Sequence, residues 1–146
     1  MIMLIGPVGA GKTSLINVLQ HNCRKAEKTQ SICFSNGMID TPGEYAQMPR
    51  FYSSLAVTAA QAKLIMMVQA AVDFRQVLPP GFAGMFNKPV VGVVTKIDLD
   101  GADKHKAAER LQQAGVRERF FYVSAHSGEG ITEIMDFLLK GGANSG

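Results

Sequence analysis

The sequence predicts a single α/β domain, a mostly parallel sheet with helices on both faces. Three observations carry this reading. Apolar strand-like runs alternate along the chain with helix-like segments, the order that builds a parallel sheet. The run Leu64 to Val68 is apolar at every position, as in a buried strand. The chain has 146 residues, enough for one core and not comfortably enough for two.

Each element has its own signal. Ile2 to Ile5 is an apolar run and reads as the first strand. A glycine-rich loop follows, then a helix from about Lys12 to His21. Asn22 to Thr29 is polar and basic and reads as loop. Gln30 to Phe34 reads as a strand and Asn36-Gly37 as a hairpin turn. Met38 to Asp40 is the short strand that follows, so the hairpin between the second and third strands is shortened. Arg50 to Ala62 has helical character, and Leu64 to Gln69 and Val90 to Thr95 are strands. Between those strands Pro79-Pro80-Gly81 and Gly84 break or shorten any helix. Ala102 to Ala114 is an amphipathic helix ended by Gly115. Phe120 to Val123 is the last strand and Ile131 to Leu139 the last helix. Residues 1–140 are read as the folded domain and 141–146 as a flexible tail.

Composition narrows the function classes. An apolar fraction of 47% belongs to a globular fold, not a disordered chain. The net charge of +3 is mild and the basic residues are scattered, apart from Arg24, Lys25 and Lys28, which argues against a nucleic-acid partner. No apolar stretch is long enough for a bilayer, and no basic leader opens the chain, so no membrane role and a cytoplasmic location are expected. Cys23 and Cys33 lack metal-ligand spacing and read as free thiols. His21, His105 and His126 are dispersed and read as solvated or capping residues, and Met66 and Met67 as core filler.

The chemistry begins at Gly6 to Thr13, GPVGAGKT. The pattern G-x-x-x-x-G-K-[ST] is met by Gly6, Gly11, Lys12 and Thr13 between a strand and a helix. Glycines let backbone N–H groups wrap around phosphate oxygens, and Gly9 adds freedom inside the loop. Lys12 supplies a cation for the β and γ phosphates, and the Thr13 hydroxyl is a hard ligand for Mg²⁺. Val8, Ala10 and Ser14 complete the candidate cradle. This is the P-loop of nucleoside-triphosphate-binding proteins.

Further motifs follow in order. Asp40-Thr41-Pro42-Gly43 lies after a short strand, where Asp40 suits a Mg²⁺ shell and the Gly43 N–H a γ-phosphate. Thr95-Lys96-Ile97-Asp98 ends a strand. The Asp98 carboxylate matches the N1–H and 2-amino donors of guanine and is repelled by the N1 acceptor of adenine. The Lys96 stem can lie over a base. The alternative for Asp98 is a helix-capping aspartate. Ser124 and Ala125 after the last strand can support the base or its carboxylate partner. Thr29 in the polar loop is a candidate additional Mg²⁺ ligand, which would make that loop a switch.

In this order the motifs resemble the small Ras-like GTPases and their bacterial relatives, over nearly the whole chain. DTPGEY at Asp40 to Tyr45, FYSSL at Phe51 to Leu55, PPGF at Pro79 to Phe82 and NKPV at Asn87 to Val90 resemble the EutP/PduV family of bacterial ethanolamine- and propanediol-utilisation proteins. The resemblance implies a Ras-like P-loop fold, GTP as ligand with ATP as the alternative, and association with bacterial microcompartments through a shell or pathway protein. It also implies acetate kinase activity as an alternative to GTP hydrolysis.

Departures from the Ras-like pattern bear on catalysis. Glu44 stands where those proteins carry a water-orienting glutamine, and an ionised carboxylate has no hydrogen to donate. Val8 can crowd the γ-phosphate, and Gly9 stands where potassium-stimulated relatives carry asparagine. Lys12, Glu44 and Arg50 are therefore the catalytic candidates, with Arg75 a further arginine, and intrinsic hydrolysis is expected to be slow. The alternatives are an acetate kinase-type phosphotransferase using ATP, with Arg50 toward the carboxylate, and a non-hydrolysing module that docks on a shell. The surface from Tyr45 to Tyr52 adjoins the γ-phosphate motif and is the expected place for a partner to sense nucleotide.

Overall fold

The computed structural model describes residues 1–25 and 37–139. Among these described residues five strands form one sheet: β1 (Ile2–Ile5), β2 (Met38–Asp40), β3 (Leu64–Ala70), β4 (Val90–Thr95) and β5 (Phe120–Tyr122). Their order is β2-β1-β3-β4-β5, and every pairing is parallel. The helices are α1 (Lys12–Lys25), α2 (Gly43–Gln47), α3 (Tyr52–Ala59), α4 (Lys104–Gln113) and α5 (Ile131–Leu139), with short 3-10 turns at Pro49–Phe51 and Phe82–Met85.

The strand pattern divides the core in two. Along β3, Leu64, Met66 and Val68 point to one face, and Ile65 and Met67 to the other. On the first face they meet Leu15, Ile16 and Leu19 of α1 and Ile131 and Ile134 of α5. On the second they meet Ala46 of α2, Leu55 of α3 and Leu111 of α4. All seven β3 residues are buried, because helices cover both faces of the sheet. Met66 and Met67 are fully enclosed core residues, as their place in a strand pattern implies. Phe121 is likewise enclosed and packs against Phe137 of α5, ring centroids 5.3 Å apart.

Three helices differ from the sequence reading at their ends, and β3 and β5 by one residue each. Helix α1 continues to Lys25 instead of stopping near His21, since no glycine or proline interrupts 22–25. Pro49 sets a 3-10 turn at Pro49–Phe51, so α3 starts at Tyr52. It ends at Ala59 because the next amides tighten onto i−3 carbonyls, Ala60 to Val57 and Gln61 to Thr58. Helix α4 starts at Lys104, where the Asp103 carboxylate caps the Lys106 N–H at 3.0 Å. Gly115, at φ 106°, follows its end as read. The short helix α2 was not anticipated. The strand read at Gln30 to Phe34, Asn36, Thr29, the tail 141–146 and the thiols of Cys23 and Cys33 lie outside what is described.

Candidate functional site

Parallel strands carry their C-terminal ends, and the loops that leave them, to one edge of the sheet. The glycine-rich loop runs there from β1 into α1. Gly9 and Gly11 have φ of 86° and 89°, backbone that residues with a Cβ resist. Gly6 is constrained by space: a Cβ would stand 2.4 Å from the Val68 carbonyl oxygen.

Lys12 is only 7% exposed, and its ammonium donates to the carbonyls of Gly6 at 2.8 Å and Pro7 at 3.4 Å. Burial pushes its pKa below the ordinary lysine value, while the carboxylates of Asp40 and Glu44 pull it back up. A buried cation fixed at the start of α1 fits a polyanion with several oxygens.

Thr13 Oγ1 donates to Asp40 Oδ2 over 2.8 Å, and both residues are exposed. This puts two hard oxygen ligands beside the lysine. Among the described residues no three His, Cys, Asp or Glu side chains cluster for a metal. A two-oxygen set fits Mg²⁺, which retains much of its water, better than a metal needing a full protein cage.

The segment after β2 is sewn to the loop. The Thr41 hydroxyl donates to the Leu4 carbonyl at 2.8 Å. Gly43 is buried so close to Val8 that a Cβ would lie 2.4 Å from the Val8 nitrogen. The Val8 N–H donates to Gln47 Oε1 at 3.2 Å. Gln47 escaped the sequence reading; its signal was its place one helical turn after Glu44. Glu44 is exposed, and Val8 is 57% exposed. Arg50 lies over the Phe51 ring at 4.8 Å, and that ring stacks on Tyr45 at 4.4 Å. Arg75 is engaged elsewhere: its Nε and Nη2 each donate to the Asp73 carboxylate at 2.9 Å, which holds that carboxyl below its usual range.

Beside Gly11 opens a cavity of about 470 Å³. Gly11 and Ser14 of the loop and the motif residues Thr95, Lys96, Asp98 and Ala125 line it, together with Leu15, Leu99, Val123 and His126, which no motif named. Lys96 is the one non-glycine residue with positive φ among those described, at 59°, and its Nζ donates to the Gly9 carbonyl at 2.8 Å. The Thr95 hydroxyl donates to the Ala10 carbonyl. The end of β4 is thus tied directly to the glycine loop, and the cavity adjoins the loop at Gly11. Asp98 is not a helix cap, since Asp103 fills that role for α4. Ser124 does not line the cavity. It is fully buried, its hydroxyl accepting from the Ser127 N–H at 3.0 Å, and it shapes the turn that presents Ala125 and His126.

Comparison with known proteins finds relatives of the chain. Residues 1–140 match the family model described as ethanolamine utilisation – propanediol utilisation. The propanediol utilization protein PduV of Citrobacter freundii is 41% identical over 138 residues, 94% of this chain and 91% of that protein. A protein named probable acetate kinase EutP, from Escherichia coli K12, is 36% identical over 139 residues, 94% of this chain and 87% of its own. Its namesake from Salmonella typhimurium is 37% identical over the same shares. Among solved structures, the cytosolic domain of the T. maritima FeoB iron transporter in its GMPPNP form shares the fold, with a TM-score of 0.61 at 17% identity. That match covers 97% of this chain and 63% of the FeoB chain. The chain belongs to the ethanolamine utilisation – propanediol utilisation family, on a P-loop α/β fold.

Proposed function

We propose that this protein binds a nucleoside triphosphate with Mg²⁺, prefers guanine as the base, and turns the nucleotide over slowly on its own. The observation that supports this best is the Lys96 bridge. One side chain both lines the 470 Å³ cavity beside Asp98 and donates to Gly9 of the phosphate loop. A base-sized chamber and a phosphate cradle are thereby held in one frame, and the volume lies within the range of about 300–1,000 Å³ usual for small-ligand sites.

In this reading Gly6 to Ser14 and Gly43 hold the phosphates, and Asp98 selects the base with Lys96 and Ala125 beside it. Thr13 and Asp40 hold Mg²⁺, with Thr29 as a further ligand. Bound Mg²⁺ neutralises charge that develops between the β and γ phosphates. The Lys12 ammonium serves the same oxygens. Glu44 offers acceptors only, and Val8 stands at the mouth of the loop, so turnover without a partner should stay well below about 1 s⁻¹, an ordinary enzymatic rate.

A second reading is transfer of the γ-phosphoryl group from ATP to acetate. It is favoured by the relatives at 36% and 37% identity that are named probable acetate kinases. Arg50 is the candidate contact for the carboxylate. Family membership supports association with a microcompartment shell or pathway protein under either reading.

The test follows GDP and ADP release from GTP and ATP in Mg²⁺, with and without acetate, together with acetyl phosphate. Acetate-independent GDP release supports the first reading. Acetate-dependent ADP release with acetyl phosphate supports the second. Failure to bind either nucleotide defeats both.

A further inference from the structure

We propose that Gln47, and not Glu44, supplies the side-chain donor that acts on the γ-phosphoryl group. The inference rests on the nucleotide reading above and deepens it. The Val8 amide can only donate, so the Gln47 atom 3.2 Å from it is the carboxamide oxygen, which fixes the orientation of the group. The amide nitrogen then carries two hydrogens at the mouth of the phosphate loop. Glu44, three residues earlier on α2, has no hydrogen to give when ionised.

The position of Gln47 is imposed by packing. Gly43 lies against the Val8 backbone with no room for a Cβ. Ala46 is fully buried beneath α2, and Tyr45 is clamped on Phe51 with rings 9° from parallel. These contacts fix one face of the short helix against the loop, and Gln47 is the residue that reaches Val8.

The step served is displacement at phosphorus. A water oxygen bonds to the γ-phosphorus as the bond from that phosphorus to the bridging β-oxygen breaks. The nucleoside diphosphate keeps the bonding pair, and the water proton passes to the released phosphate. The Gln47 N–H donates to a γ-phosphoryl oxygen as charge redistributes. With acetate as acceptor, a carboxylate oxygen replaces water and the product is the acyl phosphate, with no proton to move.

The test compares the unsubstituted chain with Gln47→Glu and Gln47→Ala. Single-turnover rates are measured with GTP and with ATP plus acetate, and affinity with labelled non-hydrolysable GTP. Gln47→Glu keeps the size and the acceptor facing Val8 but removes the donor. Gln47→Ala, which removes the donor without adding charge, should lose about 10²-fold in rate, the scale for losing one transition-state donor, with a much smaller loss of affinity. Gln47→Glu adds a carboxylate that repels the phosphate and should lose at least as much in rate and some affinity as well. Wild-type rates in Gln47→Glu at intact affinity overturn the Gln47 role and leave the nucleotide reading standing. Tight binding by the unsubstituted chain with no turnover to either acceptor overturns the Gln47 role and the proposed turnover, and leaves nucleotide binding standing. No nucleotide binding by the unsubstituted chain overturns the underlying reading and this role together.

Discussion

Thr13 and Asp40, 27 residues apart in the chain, meet through a 2.8 Å bond from the threonine hydroxyl to a carboxylate oxygen. The contact joins the start of α1 to the end of β2. It requires the register of β2 on β1, which pairs Leu4 with Asp40. Replacing Asp40 by Asn should leave the fold intact, because the residue is exposed. The Mg²⁺ dependence of nucleotide affinity, measured by titration with and without chelator, should weaken by about 10- to 100-fold. Unaltered Mg²⁺ dependence would remove Asp40 from the metal shell.

Lys12 gives a pH dependence with a definite sign. Burial lowers its folded-state pKa below the ordinary value of 10.5. Below the folded pKa the ammonium is charged in both folded and unfolded chains, and its burial costs stability throughout. As pH rises from the folded pKa toward 10.5 the folded chain loses its proton first, and that cost is relieved. Nucleotide affinity moves the other way, falling as the cation is lost. It should decline at a pH below the free-lysine range, and Lys12→Ala should be weak at every pH. A flat profile up to pH 10.5 in the unsubstituted chain would contradict this.

Asp98 predicts the choice of base. It lines the cavity and no helix needs it as a cap. A carboxylate paired with two guanine donors leaves a costly mismatch with adenine, so Asp98→Ala should collapse the preference for GTP over ATP by about 10²-fold or more. Competition titrations with labelled nucleotides measure the ratio. Equal affinity for the two in the unsubstituted chain refutes the assignment.

Gly43 predicts a stability effect of purely steric origin. A Cβ there would fall 2.4 Å from the Val8 nitrogen and 2.7 Å from its Cα, backbone atoms that cannot swing aside. Gly43→Ala should therefore cost about 1–3 kcal/mol, the usual range for overpacking, and lower the melting temperature. Gly84→Ala has nothing within 4 Å of its new methyl and should be close to neutral. Thermal melts of the two variants side by side check the contrast.

The elements and the loop chemistry were legible because both are local. Continuous apolar runs marked buried strands, and GPVGAGKT specified backbone freedom, a cation and a hydroxyl within eight positions. Asp98 was legible for the same reason, as a carboxylate placed directly after a buried strand. Helix ends were less so: α1 runs past His21 because nothing local stops it, and Asp103, not Asp98, caps α4. Helix α2 was missed because five residues are too few to show a helical period. Tertiary structure alone decided which groups face each other. It brought Val8 to Gln47 across 39 residues, Thr13 to Asp40 across 27 and Lys96 to Gly9 across 87. Such pairings depend on strand register and on helices covering both sheet faces, and short-range residue preferences do not encode either. The sequence by itself therefore determined a glycine loop carrying a lysine and a hydroxyl, and a carboxylate shortly after a buried strand. The fold determined that the cavity lined by Asp98 adjoins that loop at Gly11, and that the Gln47 side chain of α2, one turn beyond Glu44, reaches the loop at Val8.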